Sequence, residues 1–256
     1  MRPSDPSREV TPSHASTVVL LRPAKLPGAD DGPVEVFLTR RPDSMAFAGG
    51  NFVFPGGKLD PSDYAPENLA LVRGMDPERA ACILGGGESP ERSLGFWLAA
   101  VRELFEETGV LLCTTPEGRG LEALDADTRE RLAAARDELH QGQRSLAWVL
   151  SELGLRYQPA SLRYLTRWIT PVHYPMRFDA RFFICQIPPG QAPVACHREV
   201  AEVRWTAPAE ALKAWRAREI KMRPPTVTTL MYLAQFPTCG SVFARHEDGR
   251  QRVQIP

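Results

Sequence analysis

The spacing of apolar residues divides the chain into segments of two kinds. Short runs rich in β-branched and aromatic residues predict β-strands at residues 17–22, 34–39, 51–54, 162–168, 177–186 and 200–205. The first two flank a turn rich in Pro, Gly and Asp, so we expect them to form a hairpin. The run Phe182, Phe183 and Ile184 is apolar enough to predict a central strand.

Apolar residues that recur every three to four positions predict α-helices at about residues 90–108, 127–140, 145–153, 208–218 and 226–235. The first helix has the clearest ends: Ser89 suits a capping position, Pro90 suits the first helical position and Gly109 ends the helix. On this helix six residues gather on one side, which we expect to pack on the core: Leu94, Trp97, Val101, Leu104, Phe105 and Thr108.

This mixture of strands and helices predicts one α/β (α+β) domain over residues 17–256. Residues 1–16 are rich in Pro, Ser and charge, without apolar periodicity, so we expect a disordered tail. Residues 60–88 are irregular and carry several prolines and glycines, which indicates an inserted segment with one or two short helices. Residues 125–155 form a helical excursion beside the main body.

Charge and cysteine content exclude several classes of protein. Lys plus Arg and Asp plus Glu each number 31, so no net field favours a nucleic acid or a membrane as partner. The five cysteines are scattered and odd in number, which favours reduced thiols over disulfides or a zinc ribbon. Residues 253–256 are not a peroxisomal signal, and no export signal is evident, so we expect a cytoplasmic location.

The candidate chemistry lies in one acidic stripe. On a helix, Glu103, Glu106 and Glu107 fall within an arc of roughly 100°, and like charges at this spacing repel. A divalent cation would relieve the repulsion, and Mg²⁺ prefers oxygen ligands of this kind. The alternative is a solvated acidic face, which is the commoner reading of three such glutamates without further context.

The context is given by Phe54-Pro-Gly-Gly57 upstream and by the segment 102–110 around the glutamates. Together they resemble the Nudix box, G-x5-E-x7-R-E-U-x-E-E-x-G-U, where U is a bulky apolar residue. Gly57 matches the first glycine, and the second half is complete. A long insertion splits the middle, so either Asp63 or Glu88 could take the place of the first glutamate.

This resemblance implies a Nudix fold, in which a mixed β-sheet lies between helices, and a diphosphate-cleaving enzyme that uses Mg²⁺ or Mn²⁺. The implied metal ligands are Glu103, Glu106, Glu107 and the carbonyl of Gly57. Arg102 would orient a glutamate, and either Glu103 or Glu199 would accept the proton from water. Arg41 and Arg177 are candidates for binding substrate phosphates. The histidines show no metal-ligand spacing.

A narrower resemblance is to the mammalian peroxisomal Nudix coenzyme A diphosphatases. It includes the split box, Trp168-x-Thr-Pro171, Arg177-Phe-Asp179 and Pro224-Pro-Thr226. It implies cleavage of CoA or acyl-CoA to 3′,5′-ADP and 4′-phosphopantetheine products. Two alternatives stay open, namely an ADP-ribose, NADH or other nucleoside-diphosphate diphosphatase, and an inactive Nudix-fold binding or regulatory protein. Homodimers are common among such enzymes, so a homodimer is a further expectation.

Overall fold

The computed structural model describes residues 10–25, 31–45, 47–196 and 200–247. The strands there are β1 (Ser13–Pro23), β2 (Val34–Arg40), β3 (Asn51–Val53), β4 (Gly56–Lys58), β5 (Cys113–Thr114), β6 (Arg156–Tyr157), β7 (Arg163–Ile169), β8 (Phe178–Gln186), β9 (Glu202–Thr206) and β10 (Lys221–Met222). The helices are α1 (Pro66–Leu69), α2 (Pro77–Leu84), α3 (Pro90–Thr108), α4 (Ala126–His140), α5 (Leu146–Glu152), α6 (Pro208–Arg216), α7 (Pro224–Leu233) and α8 (Cys239–Arg245).

A mixed sheet organises the molecule, with the strand order β10-β3-β2-β1-β8-β7. Strand β4 also pairs with β1, and β9 pairs with β2. The antiparallel pairing of β1 with β2, which places Leu21 opposite Val36, confirms the predicted hairpin. Strand β8 lies between β1 and β7, parallel to β1, so its apolar run is central as predicted.

Helices cover both faces of this sheet and create two apolar cores. On one face, α3 packs with residues of α4 and α5, including Leu132 and Val149. On the other face, α6, α7 and α8 contribute residues such as Leu212, Leu230 and Val242. A mixed sheet between helical layers is the predicted fold class, which is therefore confirmed.

Helix α3 has the predicted boundaries because its capping residues act as expected. The Ser89 hydroxyl accepts a hydrogen bond from the Arg92 N–H at 3.3 Å, which satisfies a free donor of the first turn. Gly109 ends the helix in the left-handed region at φ 72°. The six residues assigned to the core side are all buried: Leu94, Trp97, Val101, Leu104, Phe105 and Thr108.

The inserted segment packs onto α3. It contains a 3-10 turn (Pro61–Tyr64) followed by α1 and α2, in keeping with the short helices expected there. Gly95 allows the approach, since a Cβ at this position would lie 2.9 Å from the Cβ of Tyr64. Further along, the Tyr157 hydroxyl donates a hydrogen bond of 2.6 Å to the side-chain oxygen of Asn68. These contacts are two of those that fix the insertion to the body of the domain.

Some predictions need correction. The predicted tail is too long, because residues 13–16 form the start of β1, where main-chain pairing with β8 and β4 fixes a polar segment. Gly56 and Gly57, which follow the predicted strand at residues 51–54, turn back into the short strand β4. Strands β5, β6 and β10 were not predicted, because two residues are too few for periodicity to reveal. Helix α8 was not predicted either. The predictions for residues 1–9 and 253–256 fall outside the described residues. No helix in the described part of the chain is long and apolar enough to cross a membrane.

Candidate active site

The glycine turn at β4 lies directly against the acidic face of α3. Strand β4 pairs antiparallel with β1, with Gly57 opposite Ser16. The Gly56 N–H donates a hydrogen bond of 3.3 Å to an Oε of Glu107. A Cβ on Gly57 would overlap the carboxylate of Glu103, so a larger residue here would displace either the main chain or that side chain. The fold thus brings the two halves of the motif together across the insertion.

Arg102 holds the acidic face in place with several donors. Its Nη1 donates to Oε1 of Glu103 at 2.8 Å and lies 3.4 Å from Oε2 of Glu106. Its Nε and Nη2 donate to the two carboxylate oxygens of Asp63 at 2.8 and 2.9 Å. Nη2 also donates to the Lys58 carbonyl at 3.0 Å. One guanidinium therefore orients carboxylates from both α3 and the insertion, as its planar set of donors allows.

Of the two acidic residues considered for the first position of the box, the structure places Asp63 beside Arg102. Asp63 is 3% exposed, and its carboxylate also accepts the N–H of Asp60 at 2.8 Å. Glu88 instead precedes the N-terminus of α3 and lies near three cationic or titratable side chains: His14, Arg92 and Arg181. Asp63 therefore contacts the arginine that precedes the glutamates of α3, and Glu88 has no such contact among the described ion pairs.

Burial changes the electrostatics of this network. Loss of solvent raises the pKa of Glu103 to about 7, although the charge of Arg102 opposes the shift. Burial alone would lower the pKa of the Arg102 guanidinium, but its hydrogen bonds and charge pairing with Asp63 raise it above the ordinary value. Arg102 thus stays charged, while Glu103 is a carboxylate whose anionic form lacks full compensation from its neighbours.

A cleft of about 400 Å³ opens over the glycine turn. Gly56, Gly57, Glu103 and Glu107 line one part of it. Most of the remaining wall is apolar and includes Met45, Phe47, Trp168, Met176, Phe178 and Phe182. A largely apolar cavity with a few convergent polar groups is the usual form of a small-molecule site.

Glu106 does not line this cleft. It lines a neighbouring cavity of about 260 Å³ together with Asp63, Arg102 and Tyr157. The predicted acidic stripe is thus divided between two cavities, and the predicted role of Glu106 as a metal ligand stays a prediction. Residues of α4 fix the main chain at this point, because Arg136 Nε and His140 Nε2 lie 2.8 and 2.7 Å from the Glu106 carbonyl oxygen.

This arrangement can be compared with known proteins. A family model described as the NUDT19 Nudix domain matches residues 13–233. The chain belongs to the NUDT19-type Nudix family.

Relatives and solved structures agree with this membership. The chain is 28% identical over 230 residues to the acyl-coenzyme A diphosphatase NUDT19 of Xenopus laevis, covering 79% of this chain and 60% of that protein. It is 28% identical over 252 residues to its Homo sapiens counterpart, covering 86% and 65%. The chain thus spans less than two thirds of either relative. A Nudix hydrolase structure from Alicyclobacillus acidocaldarius has a TM-score of 0.69 at 27% identity, covering 93% of this chain and 97% of that one.

Nudix hydrolases depend on divalent metals, and the cleft offers a suitable but incomplete donor set. Within the described ranges, no group of three or more His, Cys, Asp or Glu side chains is arranged to hold a metal ion by itself. Glu103 and Glu107 do share the cleft with the main chain of Gly57, and the raised pKa of Glu103 indicates an anion that a cation would stabilise. Mg²⁺ commonly takes one or two carboxylates and completes its shell with water and substrate phosphate. The residues fit that pattern.

The predicted substrate-binding arginines have different positions. Arg41 lines the cleft, and its Nε is buried. Arg177 is 7% exposed, and its Nε and Nη1 donate to the carbonyls of Thr170 and Val10 at 3.0 and 2.7 Å. Its guanidinium therefore holds the β7–β8 connection to the main chain before β1, and Arg177 is not among the residues that line the cleft, so its predicted role stays a prediction. Glu199 lies outside the described residues, so its predicted role stays a prediction.

Proposed function

We propose that this chain hydrolyses the diphosphate linkage of CoA and acyl-CoA, giving 3′,5′-ADP and an (acyl-)4′-phosphopantetheine. The single observation that supports a diphosphatase most directly is the contact between the Gly56-Gly57 turn and the glutamates of α3 at one end of a deep cleft. The choice of CoA esters is supported by the acyl-coenzyme A diphosphatases that the chain resembles.

The site requires Mg²⁺ or Mn²⁺ in this proposal. The ion, when bound, offsets negative charge on the phosphoryl oxygens and lowers the pKa of a coordinated water. Glu103, Glu107 and the Gly57 carbonyl would hold it in the cleft, while the predicted ligand Glu106 would act from the neighbouring cavity. We base this assignment on which side chains line each cavity.

The remaining chemistry falls to side chains of the domain. Glu103 is the candidate for accepting the proton from water, because its carboxylate lies in the cleft against the Gly57 main chain. Arg102 positions Glu103 through the 2.8 Å hydrogen bond and does not line the cleft itself. The Gly56 N–H fixes the second carboxylate, Glu107. Carboxylates held in this way need not reorganise when the reaction takes place.

The apolar part of the cleft supports an acylated or thiol-bearing substrate. Trp168, Met176 and Phe178 line this wall, and Met176 is 44% exposed, so the wall reaches the solvent. Such a wall suits the pantetheine arm and an acyl chain, because burying each methylene against it contributes roughly 0.8 kcal/mol. A smaller polar group such as a second ribose would leave this wall unfilled.

The test is a comparison of substrates on the purified full chain with Mg²⁺, Mn²⁺ or EDTA. CoA, acetyl-CoA, a medium-chain acyl-CoA, ADP-ribose and NADH are incubated in parallel and the products are identified by mass spectrometry. We expect 3′,5′-ADP from the CoA substrates with either metal and none with EDTA. Strong preference for ADP-ribose or NADH would refute the CoA assignment. Absence of turnover on every substrate with either metal would favour an inactive Nudix-fold protein.

Two expectations about the whole protein stay predictions. One is a cytoplasmic location. Homodimer formation can be measured by sedimentation of the purified protein, where we expect about twice the mass of one chain.

A further inference from the structure

Two arginines in the cleft have no acidic partner within the part of the chain that the structure describes. Arg41 and Arg223 both line the cleft, and the Nε of each is buried without a hydrogen-bond partner. The adjacent Arg40 differs, because its Nη2 lies 2.6 Å from the Asp43 carboxylate. A buried N–H without an acceptor is unfavourable, so two guanidinium groups of this kind in one cavity point to an anionic ligand that accepts from them.

The sheet brings the two arginines to the same region. Arg41 follows β2, and its N–H donates to the carbonyl of Asn51 at 3.0 Å. Arg223 follows β10, whose Lys221 lies opposite the same Asn51 from the other side. Strand β3 therefore lies between them. Because neighbouring strands lie roughly 5 Å apart, the main chains on either side of β3 are about 10 Å apart. Two long side chains directed into one cleft from such positions can reach a common anion.

The surroundings of Arg223 favour a fixed guanidinium. Its Cζ lies 4.9 Å from the centre of the Phe47 ring, and Phe47 packs edge-on against Phe178 with ring centres 5.0 Å apart. The Phe47 ring therefore holds one side of the guanidinium and leaves its N–H donors to other partners. Thr226, in the first turn of α7, also lines the cleft and adds a hydroxyl group.

We propose that Arg223 and Arg41 form an anion subsite for the phosphate monoester of the substrate. This group is the 3′-phosphate on the ribose of CoA, which stays in place when the diphosphate is cleaved. This inference rests on the proposed function. The diphosphate is assigned to the glutamate end of the cleft with its cation, which leaves the arginine pair for a second phosphate group. Arginine binds a terminal phosphate through two parallel N–H donors, so the pair selects CoA over dephospho-CoA.

Ligand binding without metal isolates this subsite from catalysis. In EDTA, calorimetry compares 3′,5′-ADP with 5′-AMP on the wild-type protein and on Arg223→Gln, Arg41→Gln and Lys221→Gln. Lys221 is exposed on β10, just before Arg223, and is the matched control for loss of one positive charge. We expect the wild type to bind 3′,5′-ADP about 10- to 100-fold more tightly than 5′-AMP, as for charged hydrogen bonds. Arg223→Gln and Arg41→Gln should reduce this preference to less than about threefold, while Lys221→Gln keeps it.

Steady-state kinetics tests the same selection on intact substrates. We expect Arg223→Gln to lower kcat/KM for CoA about 10- to 100-fold and to change that for dephospho-CoA less than about threefold. Equal losses on both substrates, or a wild type that does not distinguish them, would overturn the subsite. Arg223→Lys, checked by circular dichroism, keeps the charge but not the planar donors and should show an intermediate loss.

The two proposals fail in different ways. A wild type that cleaves CoA and dephospho-CoA equally retains the proposed function and loses the subsite. A wild type that cleaves neither, but cleaves ADP-ribose or NADH, loses the proposed function. In that case the metal-free preference for 3′,5′-ADP decides the subsite alone: its presence supports the arginine pair, and its absence overturns it.

Discussion

Arg102 donates two hydrogen bonds to Asp63, a residue 39 positions earlier in the sequence. The Asp63 carboxylate is held for this role by its own 3-10 turn, in which Asp60 caps the turn and Asp63 accepts the Asp60 N–H. The first turn of the insertion is thus tied to the acidic face of α3. The insertion does not separate the two halves of the Nudix box in space; it supplies one of the residues that orients the glutamates.

Removing this carboxylate should lower both stability and turnover. Asp63→Ala leaves the Arg102 guanidinium with fewer partners, so we expect the free energy of unfolding to fall by about 2 kcal/mol. Breaking a fully buried ion pair costs more, but Arg102 keeps its other contacts. Because Glu103 loses its fixed orientation, kcat should fall while KM changes little. Urea unfolding and steady-state kinetics measure the two effects.

The controls for Asp63 are a conservative change and a change at the other acidic residue. Asp63→Glu keeps a carboxylate and should recover most of the lost turnover. Glu88→Ala removes contacts to Arg92 and Arg181, so it should reduce stability without lowering kcat. A large loss of kcat in Glu88→Ala together with normal kcat in Asp63→Ala would show that the roles of these two residues are reversed.

Glu107→Gln tests the proposed metal-binding face. Glu107 is 7% exposed, lines the cleft and accepts the Gly56 N–H. The amide keeps the size and one oxygen but removes the charge, so we expect kcat to fall at least about 100-fold at saturating Mg²⁺, with the fold unchanged. Circular dichroism and turnover are compared with Glu91→Gln, an exposed glutamate on the same helix. Wild-type turnover in Glu107→Gln would contradict its role.

Gly57→Ala tests the close approach between the turn and α3. The added Cβ would lie 2.3 Å from the Glu103 carboxylate, so either the turn or this side chain must move. We expect kcat to fall more than about tenfold, because displacement of a catalytic group by a fraction of an ångström is costly. Gly120→Ala is the matched control, since its Cβ would meet the carboxylate of Glu122 at 2.4 Å on an exposed loop where the side chain can move away. Equal effects of the two substitutions would rule out a special role for Gly57.

The sequence predicted the parts of this site that depend on one element. The helical spacing of Glu103, Glu106 and Glu107, the ends of α3 and its buried side all follow from local rules of capping and periodicity, and the structure agrees. The cavity that each glutamate of the stripe faces could not be predicted in this way. Periodicity predicts that the three glutamates share an arc on the helix. It does not predict that Glu103 and Glu107 line one cavity and Glu106 another, because that depends on the residues packed beside α3.

Contacts between distant segments could not be predicted. Nothing in the local sequence distinguishes Arg177, whose guanidinium binds main-chain carbonyls, from Arg41, which lines the cleft. Arg223 was missed because it lies in a two-residue strand and a helix start, and its place in the cleft depends on pairing of β10 with β3. The choice between Asp63 and Glu88 likewise required the path of the insertion. In each case tertiary packing, not propensity, decides the outcome.

Stability should also depend on pH through His246, which is 1% exposed and lies 2.9 Å from the Tyr232 hydroxyl. Burial, with a smaller contribution from Arg245, lowers its pKa from 6.5 to about 4. Between these values the unfolded chain takes up a proton that the folded protein does not, so the free energy of unfolding falls as pH drops through this window. We expect urea midpoints to be lower at pH 5 than at pH 7.

Replacing this histidine should weaken the pH dependence. His246→Gln cannot take up a proton, so its urea midpoint should change less between pH 7 and pH 5 than that of the wild type. Some dependence should persist, because burial also lowers the pKa of His14. His173→Gln is the control, since His173 is exposed and its removal should leave the wild-type slope. An identical slope in His246→Gln and the wild type would show that His246 takes up its proton equally in the folded and unfolded states.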